Sequence, residues 1–570
     1  MFTNRRLTTR ATYLYLLLVS LIVPLSAPFS VAASPKPSAA AIASAHPLAT
    51  AAGEEILRQG GNAFDAAVAI TAALAVVEPS GSGLGGGGFY LLHTAKDNRS
   101  IMLDAREKAP LDAHRDMYLD ANHQPIKYAS INGPLAAGIP GIPAALEHLA
   151  THYGKLPLSN SLAPSISYAK NGFQIDKRYR AKLNWRLKPV QKWPIAASIF
   201  LDNNQLPDLG WTLIQKDLAD TLSAIAENGS KGFYQGEIAR RLVDGVKKNG
   251  GIWQLEDLKK YTLVEREPIR THYRDATITS AAPPSSGGIA LATILNILNK
   301  YDLENISTSQ RIHLITEAMR RAYRDRAEYL GDPDFTDIPI QQLTHPLYAD
   351  GLRASIRTDK ATPSNSLPGV TIEQAGEDTT HFSVIDTEGN RVAATLSVNL
   401  PFGSGFVSPG TGVLLNNEMD DFSIKPGTPN AYGLVGAEAN AIAPEKRPLS
   451  SMSPTFIETD DRVAILGTPG GSRIITMVLH GILAFSDGAP VNEWVSQPRY
   501  HHQFLPDRIQ FEKDAFSQEI QDKLQILGHV LKPINRRYGD MQAILWEKNH
   551  NRVTAASDPR GIGSVNIIDN

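Results

Sequence analysis

The 570 residues contain no cysteine. Its absence excludes disulfides, thiolate zinc sites, iron–sulfur clusters and a cysteine nucleophile. A chain of this length can rest on its packed core without such staples. An excess of charge is missing too: 56 Lys and Arg face 58 Asp and Glu, a formal net charge of −2. No overall field then draws the protein to nucleic acid or to an acidic membrane, and small charged substrates must be held by local groups. No apolar run reaches the ~20 residues of a membrane span, and no Walker A lysine pattern occurs. What remains, 42% hydrophobic and 20% charged residues, is ordinary globular composition.

The N-terminus is a different kind of sequence. Arg5, Arg6 and Arg10 precede a short apolar stretch, Tyr13 to Leu25, and Val31-Ala32-Ala33 supplies small residues. This order predicts a signal peptide over 1–33. It predicts a periplasmic or secreted protein with no membrane anchor once that segment is removed. Residues 34–48, rich in Ala, Ser and Pro, read as a tail.

Glu54 to Val77 is Ala-rich and helical, interrupted at Gly60-Gly61-Asn62. The glycine run Gly81–Gly88 matches GxGxxG at Gly81, Gly83 and Gly86, but a helix precedes it and the strand-like Phe89–Leu92 follows. A dinucleotide site needs the reverse order, so the run reads as backbone packed on backbone, and no cofactor is expected. Residues 110–350 look mainly helical. Thr308 or Ser309 can cap a helix with apolar positions Ile312, Ile315, Met319 and Ala322, and Gly331 stops it. Pro283 to Gly288 is a loop without the GxSxG elbow. Residues 351–377 lose periodicity and read as a linker ending at Glu377-Asp378-Thr379.

After the linker, Phe382–Asp386 and Arg391–Ser397 are strand-like, with a turn signal at Thr387–Asn390. A turn centred between Glu388 and Gly389 pairs position 379 with about 398. It brings Ser397 and Asn399 beside Thr379. The same spacing also fits a plain edge hairpin. Glu418, Asp420 and Asp421 form a carboxylate cluster that suits an ammonium group, a solvated turn or a cation site, though its spacing is not that of an EF-hand. Ser450-Ser451 offers paired hydroxyls. Gly470-Gly471 offers backbone N–H groups, for an oxyanion hole or an ordinary turn. His501-His502 lacks any metal-ligand spacing, and no metal is expected.

Together these blocks resemble the gamma-glutamyltranspeptidase (glutathione hydrolase) family, bacterial type. The likeness runs through Gly81–Gly88, Asp104 to Glu107, Pro283–Gly288, Glu328–Phe335, Thr379–Ser383, Asn416–Phe422, Arg447–Met452 and Pro469–Ser472. It implies an α+β fold, the αββα four-layer sandwich of N-terminal-nucleophile hydrolases. It implies autocatalytic cleavage before Thr379, leaving a large subunit, 34–378, intertwined with a small catalytic one, 379–570. Thr379 is then the nucleophile and its freed α-amine the general base, near working pH at about 7.7–8. By the same resemblance Arg106, Ser450 and Ser451 hold the substrate α-carboxylate, and Asn399, Glu418 and Asp421 its α-ammonium. Gly470 and Gly471 form the oxyanion hole. Ser397, where relatives often carry threonine, keeps a hydroxyl for the Thr379 region. Pro426 to Val435, with Tyr432, is a lid. Implied substrates are glutathione and other γ-glutamyl compounds, with water, amino acids or peptides as acceptors, and no cofactor.

Overall fold

In the computed structural model, residues 35–367, 379–425 and 427–569 are described. The expected signal peptide over 1–33, the end of the expected linker at 368–378 and Pro426 of the expected lid lie outside them. Thirteen strands build two sheets. In chain order they are β1 (Ala39–Ser44), β2 (Gly87–Thr94), β3 (Arg99–Ala105), β4 (Val264–Arg266), β5 (Ile269–Tyr273), β6 (Ala276–Ser280), β7 (Thr380–Ile385), β8 (Arg391–Ser397), β9 (Thr455–Glu458), β10 (Arg462–Gly467), β11 (Gln542–Glu547), β12 (Arg552–Ser557) and β13 (Ser564–Asp569). The first sheet runs β13-β1-β7-β8-β2-β3-β4 and the second β12-β11-β10-β9-β6-β5. Neighbours in both are antiparallel.

Side chains alternate along a strand, and each sheet uses both faces. Between the sheets, Leu91, Ile385 and Ala393 of the first meet Phe456, Ile465 and Ile544 of the second. On the first sheet's outer face Tyr90, Phe382 and Val384 pack with Phe64, Val68 and Leu74 of the helix Ala63–Val77. On the second's outer face Ile278 and Leu466 pack with Leu291, Met319 and Ile475 of three further helices. The result is helix, sheet, sheet, helix: the expected αββα sandwich.

Three sequence readings need correction. Residues 34–48 are not all tail: Ala39–Ser44 is β1, buried along its whole length between β7 and β13. A strand covered on both faces shows no alternation, and its small residues mimic a linker composition. The helix Thr308–Tyr329 is capped by Ser307, whose Oγ accepts from Gln310 N–H at 3.3 Å, not by Thr308 or Ser309. The hairpin register also differs by one. Thr380 pairs with Leu396 and Ile385 with Arg391, so Thr379, one step further, faces Ser397 rather than 398. The loop has an odd number of residues because Asp386 N–H closes on Asn390 O at 3.1 Å. The Asp386 carboxylate accepts from the N–H groups of Glu388 and Asn390, and Gly389 supplies φ +96°. A shift of one changes which face a side chain takes, and here it sets Thr379 and Ser397 opposite one another.

The glycine run packs backbone to backbone as predicted. Gly87 lies opposite Ser397. A Cβ there would come 2.5 Å from Ala105 O and 2.6 Å from the Glu107 carboxylate.

Candidate active site

All the expected site residues except Gly470 line one cavity. Its volume is about 20 Å3, room for roughly one water. Thr379 enters from the start of β7 and Ser397 from the end of β8. Just past β8, Asn399 takes φ +72°, a conformation that asparagine tolerates better than most residues. It is held there by its own N–H donating to Ser397 Oγ at 2.7 Å and its Nδ2 donating to Asn417 O at 2.8 Å. Its Oδ1 is buried and accepts no hydrogen bond from the described residues.

Glu418 and Asp421 sit on a 3-10 turn, Glu418–Asp421, where residues three apart share a face. Both point at Arg106, the first residue beyond β3. The guanidinium lies 2.7 Å from Glu418, 2.5 Å from Asp421 and 3.4 Å from Glu107, and its Nε donates to Pro448 O at 3.2 Å. Burial opposes the Arg106 charge, but Glu418, Glu107 and Asp421 outweigh it and hold the group well above its ordinary range. Burial pushes the Glu418 carboxyl up to about 7, with Arg106 pulling it back down and Asp421 adding to the rise. Burial and the neighbouring Glu418 hold Glu107 well above the usual carboxylate range. One Glu418 oxygen, Oε1, takes no hydrogen bond from the described residues.

Ser450 and Ser451 are fixed by the Pro283–Gly288 loop. Ser450 N–H donates to Pro284 O at 2.8 Å, and Ser450 O accepts from Ser286 N–H at 2.8 Å and Ser286 Oγ at 2.6 Å. Gly470 (φ +145°) and Gly471 (φ +55°) adopt backbone conformations suited to glycine. They stand where β10 gives way to the helix Ile474–Ser486, so their N–H groups share the positive end of that helix. Gly471 lines the cavity, while Gly470 lines an adjoining groove. Tyr432 is buried over Gly471, and its hydroxyl donates to Asn399 O at 2.7 Å.

Arg326 also lines the cavity, and the sequence reading missed it. It donates to Ser286 Oγ at 3.0 Å and Ser451 Oγ at 3.3 Å. No carboxylate of the described residues lies within ion-pair distance of it. Burial holds its guanidinium down to about 10, with Tyr323 and Asp421 only partly compensating. One signal was available: Ile312, Ile315, Met319 and Ala322 form the buried stripe of that helix, and 326 continues it. Leu434, Met452 and Ile474 complete the apolar wall.

His381, two residues after Thr379, is no base: burial holds it down to about 3. It is engaged by Thr395 Oγ1 at 2.8 Å and Ser383 Oγ at 3.2 Å. His501 and His502 bind Thr476, Gln503 and Asp507. A buried trio, His313, Glu317 and His529, lies apart from the cavity. Its two histidines bond each other at 2.8 Å, and Glu317 is paired with Arg320 and Arg321, whose charges oppose a bound cation. No helix of the described residues is long and apolar enough to cross a membrane.

Known proteins resemble this chain in sequence and in fold. A family model described as Gamma-glutamyltranspeptidase matches residues 49–568. The glutathione hydrolase proenzyme of Escherichia coli (strain K12) is 42% identical over 530 residues, covering 92% of this chain and 91% of that protein. The crystal structure of a cephalosporin acylase from Bacillus halodurans has a TM-score of 0.81 at 27% identity, covering 96% of this chain and 99% of that one. That of Helicobacter pylori gamma-glutamyltranspeptidase has a TM-score of 0.56 at 41% identity, covering 57% of this chain and 93% of that one. On the match across 49–568 and the E. coli relative, this chain belongs to the gamma-glutamyltranspeptidase family of enzymes.

Proposed function

We propose that the chain is an exported proenzyme, with a signal peptide over 1–33, that cuts itself before Thr379 and then works in the periplasm or outside the cell. The mature enzyme moves the γ-glutamyl group of glutathione and related γ-glutamyl compounds to water, or to amino acids and peptides. The observation that carries this reading is the charge pattern of one buried cavity. Arg106 and Arg326 flank Ser450-Ser451, while Glu418 Oε1 and Asn399 Oδ1 are buried acceptors without described donors. Such acceptors call for a donor, and an α-ammonium group is one. An α-carboxylate would exchange with Glu418 on Arg106 and meet Arg326, whose charge has no paired carboxylate among the described residues. A zwitterionic glutamyl head thus replaces the Arg106–Glu418 ion pair with new ones to Arg106, Arg326 and Glu418. A glutaryl or other acyl group without the amine leaves the two acceptors unmatched, which weighs against an acylase of β-lactam side chains.

Thr379 Oγ1 attacks the γ-carbonyl, the Gly470 and Gly471 N–H groups receive the oxyanion, and a γ-glutamyl ester forms. The α-amine released by the cut serves as base, a role the neutral His381 does not fill. Two further facts favour the two-subunit reading. The first sheet interleaves β1 to β4, from before residue 379, with β7, β8 and β13, from after it, so the pieces 34–378 and 379–570 would stay intertwined. The H. pylori chain is matched over 93% of its length yet spans 57% of this one, close to the share that 34–378 makes of the sequence.

The test is Thr379→Ala. Intact-mass measurement is expected to show an uncut chain, and γ-glutamyl-p-nitroanilide should go unreacted. A variant that is cut, or that still releases nitroaniline, removes Thr379 from the role of nucleophile.

A further inference from the structure

A second pocket, of about 800 Å3, is lined by residues 428–431 of the expected lid, whereas the lid's Tyr432 and Leu434 line the catalytic cavity. The two spaces share no lining residue, and neither Thr379 nor the oxyanion glycines border the larger one. Its volume falls within the ~300–1,000 Å3 of sites for drug-sized ligands. One wall is the loop 125–132. Tyr128 lines the pocket from it at φ +64°, an outlying conformation for a bulky residue. The turn is closed by the Ile131 and Asn132 N–H groups, which donate to Tyr128 O at 3.1 and 3.0 Å. The second wall is the junction of the helices Lys177–Trp185 and Leu187–Gln191. Ile126, Tyr128 and Trp185 stand 47%, 55% and 51% exposed around this one hollow. A cluster of large apolar side chains left in water marks a place for a partner.

The junction residue, Arg186, supplies a charge. It is 7% exposed, yet its partners are neutral. Its Nε donates to Pro401 O at 3.1 Å, and its Nη2 donates to Asn132 Oδ1 at 2.9 Å and Gly403 O at 2.8 Å. Among the described residues no carboxylate lies within ion-pair distance, and Nη1 makes no hydrogen bond with them. A buried charge without a counter-charge is costly. Burial holds this guanidinium down to about 10, with Tyr432 and Asp420 only partly compensating. Exposed Lys127 and Lys188 line the same pocket. Asp420 is the one acid among the described lining residues. Both its oxygens are engaged: Ser130 Oγ donates to Oδ1 at 2.7 Å and Ala431 N–H to Oδ2 at 2.8 Å. The pocket thus offers aromatic faces, a net positive charge and one unused guanidinium nitrogen.

We propose that this pocket binds a small planar aromatic anion, its ring against Tyr128 and Trp185 and its anionic group on Arg186, and that the bound ligand favours the closed lid. The links to the catalytic cavity are short. Asn430 lines the pocket, and its Nδ2 donates to Asp421 Oδ1 at 3.0 Å, on the carboxylate that holds Arg106. Tyr432, two residues on, donates to Asn399 O, and Leu400, beside Asn399, lines the pocket. A ligand that touches residues 428–431 only in their closed position binds that state more tightly. The glutamyl head in the cavity and the aromatic anion in the pocket then strengthen each other by the same factor. This coupling rests on the γ-glutamyl reading above; the binding site does not.

The probe is 1-anilinonaphthalene-8-sulfonate, and its control is N-phenyl-1-naphthylamine, the same ring system without the sulfonate. Both are titrated by fluorescence into self-cleaved enzyme, where the sulfonate should bind the more tightly. Tyr128→Asn removes an exposed ring and puts in a residue that tolerates positive φ, so it is compatible with folding, and its cleaved fraction verifies this. It should weaken sulfonate binding about tenfold. Arg186→Gln should weaken the sulfonate by about tenfold and leave the naphthylamine unchanged. Saturating L-glutamate should tighten the sulfonate in wild type. The sulfonate in turn should lower the KM for γ-glutamyl-p-nitroanilide in wild type and not in Tyr128→Asn. Equal affinity for the two probes, or a sulfonate affinity in Tyr128→Asn within about twofold of wild type, overturns the site. A sulfonate affinity that L-glutamate leaves unchanged, in enzyme that turns over the anilide, overturns the coupling. No turnover of the anilide by wild type overturns the γ-glutamyl reading instead, and the probe titrations still decide the site.

Discussion

Replacing Arg106 by lysine separates the roles of charge and of geometry. The guanidinium serves four partners at once: Glu418, Asp421, Glu107 and Pro448 O. A lysine ammonium keeps the charge but lacks the planar fork, and it can reach only one or two of them. Each charge-assisted hydrogen bond lost in a buried place is worth about 1.5–3 kcal/mol. Part of that loss is recovered, because burial and the neighbouring Glu418 already push the Glu107 carboxyl up and so oppose its charge. We therefore expect unfolding stability to drop by about 2 kcal/mol. Loss of the bidentate hold on an α-carboxylate should cost about 2–3 kcal/mol, which is about a 30- to 150-fold rise in KM. A carboxylate remote from the reacting carbonyl is held alike in ground and transition states, so kcat should change far less. The assay is steady-state hydrolysis of γ-glutamyl-p-nitroanilide by enzyme whose cleavage has been verified by mass. A KM within threefold of wild type, or a loss confined to kcat, would falsify the clamp.

Three further outcomes are expected. With its carboxyl pushed up to about 7 by burial, Glu418 should make kcat/KM fall as pH drops through 7, since only its ionised form attracts an ammonium. Glu418→Gln should erase that limb and leave the α-amine's, near 7.7–8; an identical profile in the variant counts against the assignment. Tyr432→Phe removes the hydroxyl that donates to Asn399 O and should cost about 1 kcal/mol. That corresponds to about a fivefold higher KM, and a KM equal to that of wild type would show that the lid's closure does not depend on this bond. Burial opposes ionisation of Glu317, but Arg320, Thr362 and Arg321 hold it down to about 2, against 4.5 for the free group. The folded pKa is depressed, so this stabilisation is present above about pH 4.5 and is lost as pH falls toward 2. Up to about 3 kcal/mol is at stake. Denaturant melts across that window should show the slope in wild type and not in Glu317→Gln; equal slopes would refute it.

The active-site hairpin was legible because its signals are local: two β-rich runs, a Gly-Asn turn and a threonine after a breaker-rich linker. Its exact register was not, because Asp386 closes an odd-numbered loop through its side chain, and turn composition alone does not count residues. The glycine run was legible from the order of helix, glycines and strand. β1 was not, because a strand buried on both faces shows Ala39–Ser44 with no polar alternation. Arg326 escaped because an arginine on a helix reads as solvated; only its place on the Ile312–Ala322 stripe marks it as internal. The pairing of Arg106 with Glu418 and Asp421 joins segments over 300 positions apart, and only the family likeness, not spacing, brought them together.

The strand order of the first sheet also bears on what becomes of the molecule after it is cut. As a single chain it can fold in one unimolecular process, with every loop closure made along one tether. Once divided before Thr379, its two pieces alternate as neighbours within one sheet, and refolding would require them to meet in solution and interdigitate strand by strand. Maturation would then be a one-way passage. The working form would owe its lifetime to the height of its unfolding barrier rather than to a reversible equilibrium, and a cut molecule that melts would not return.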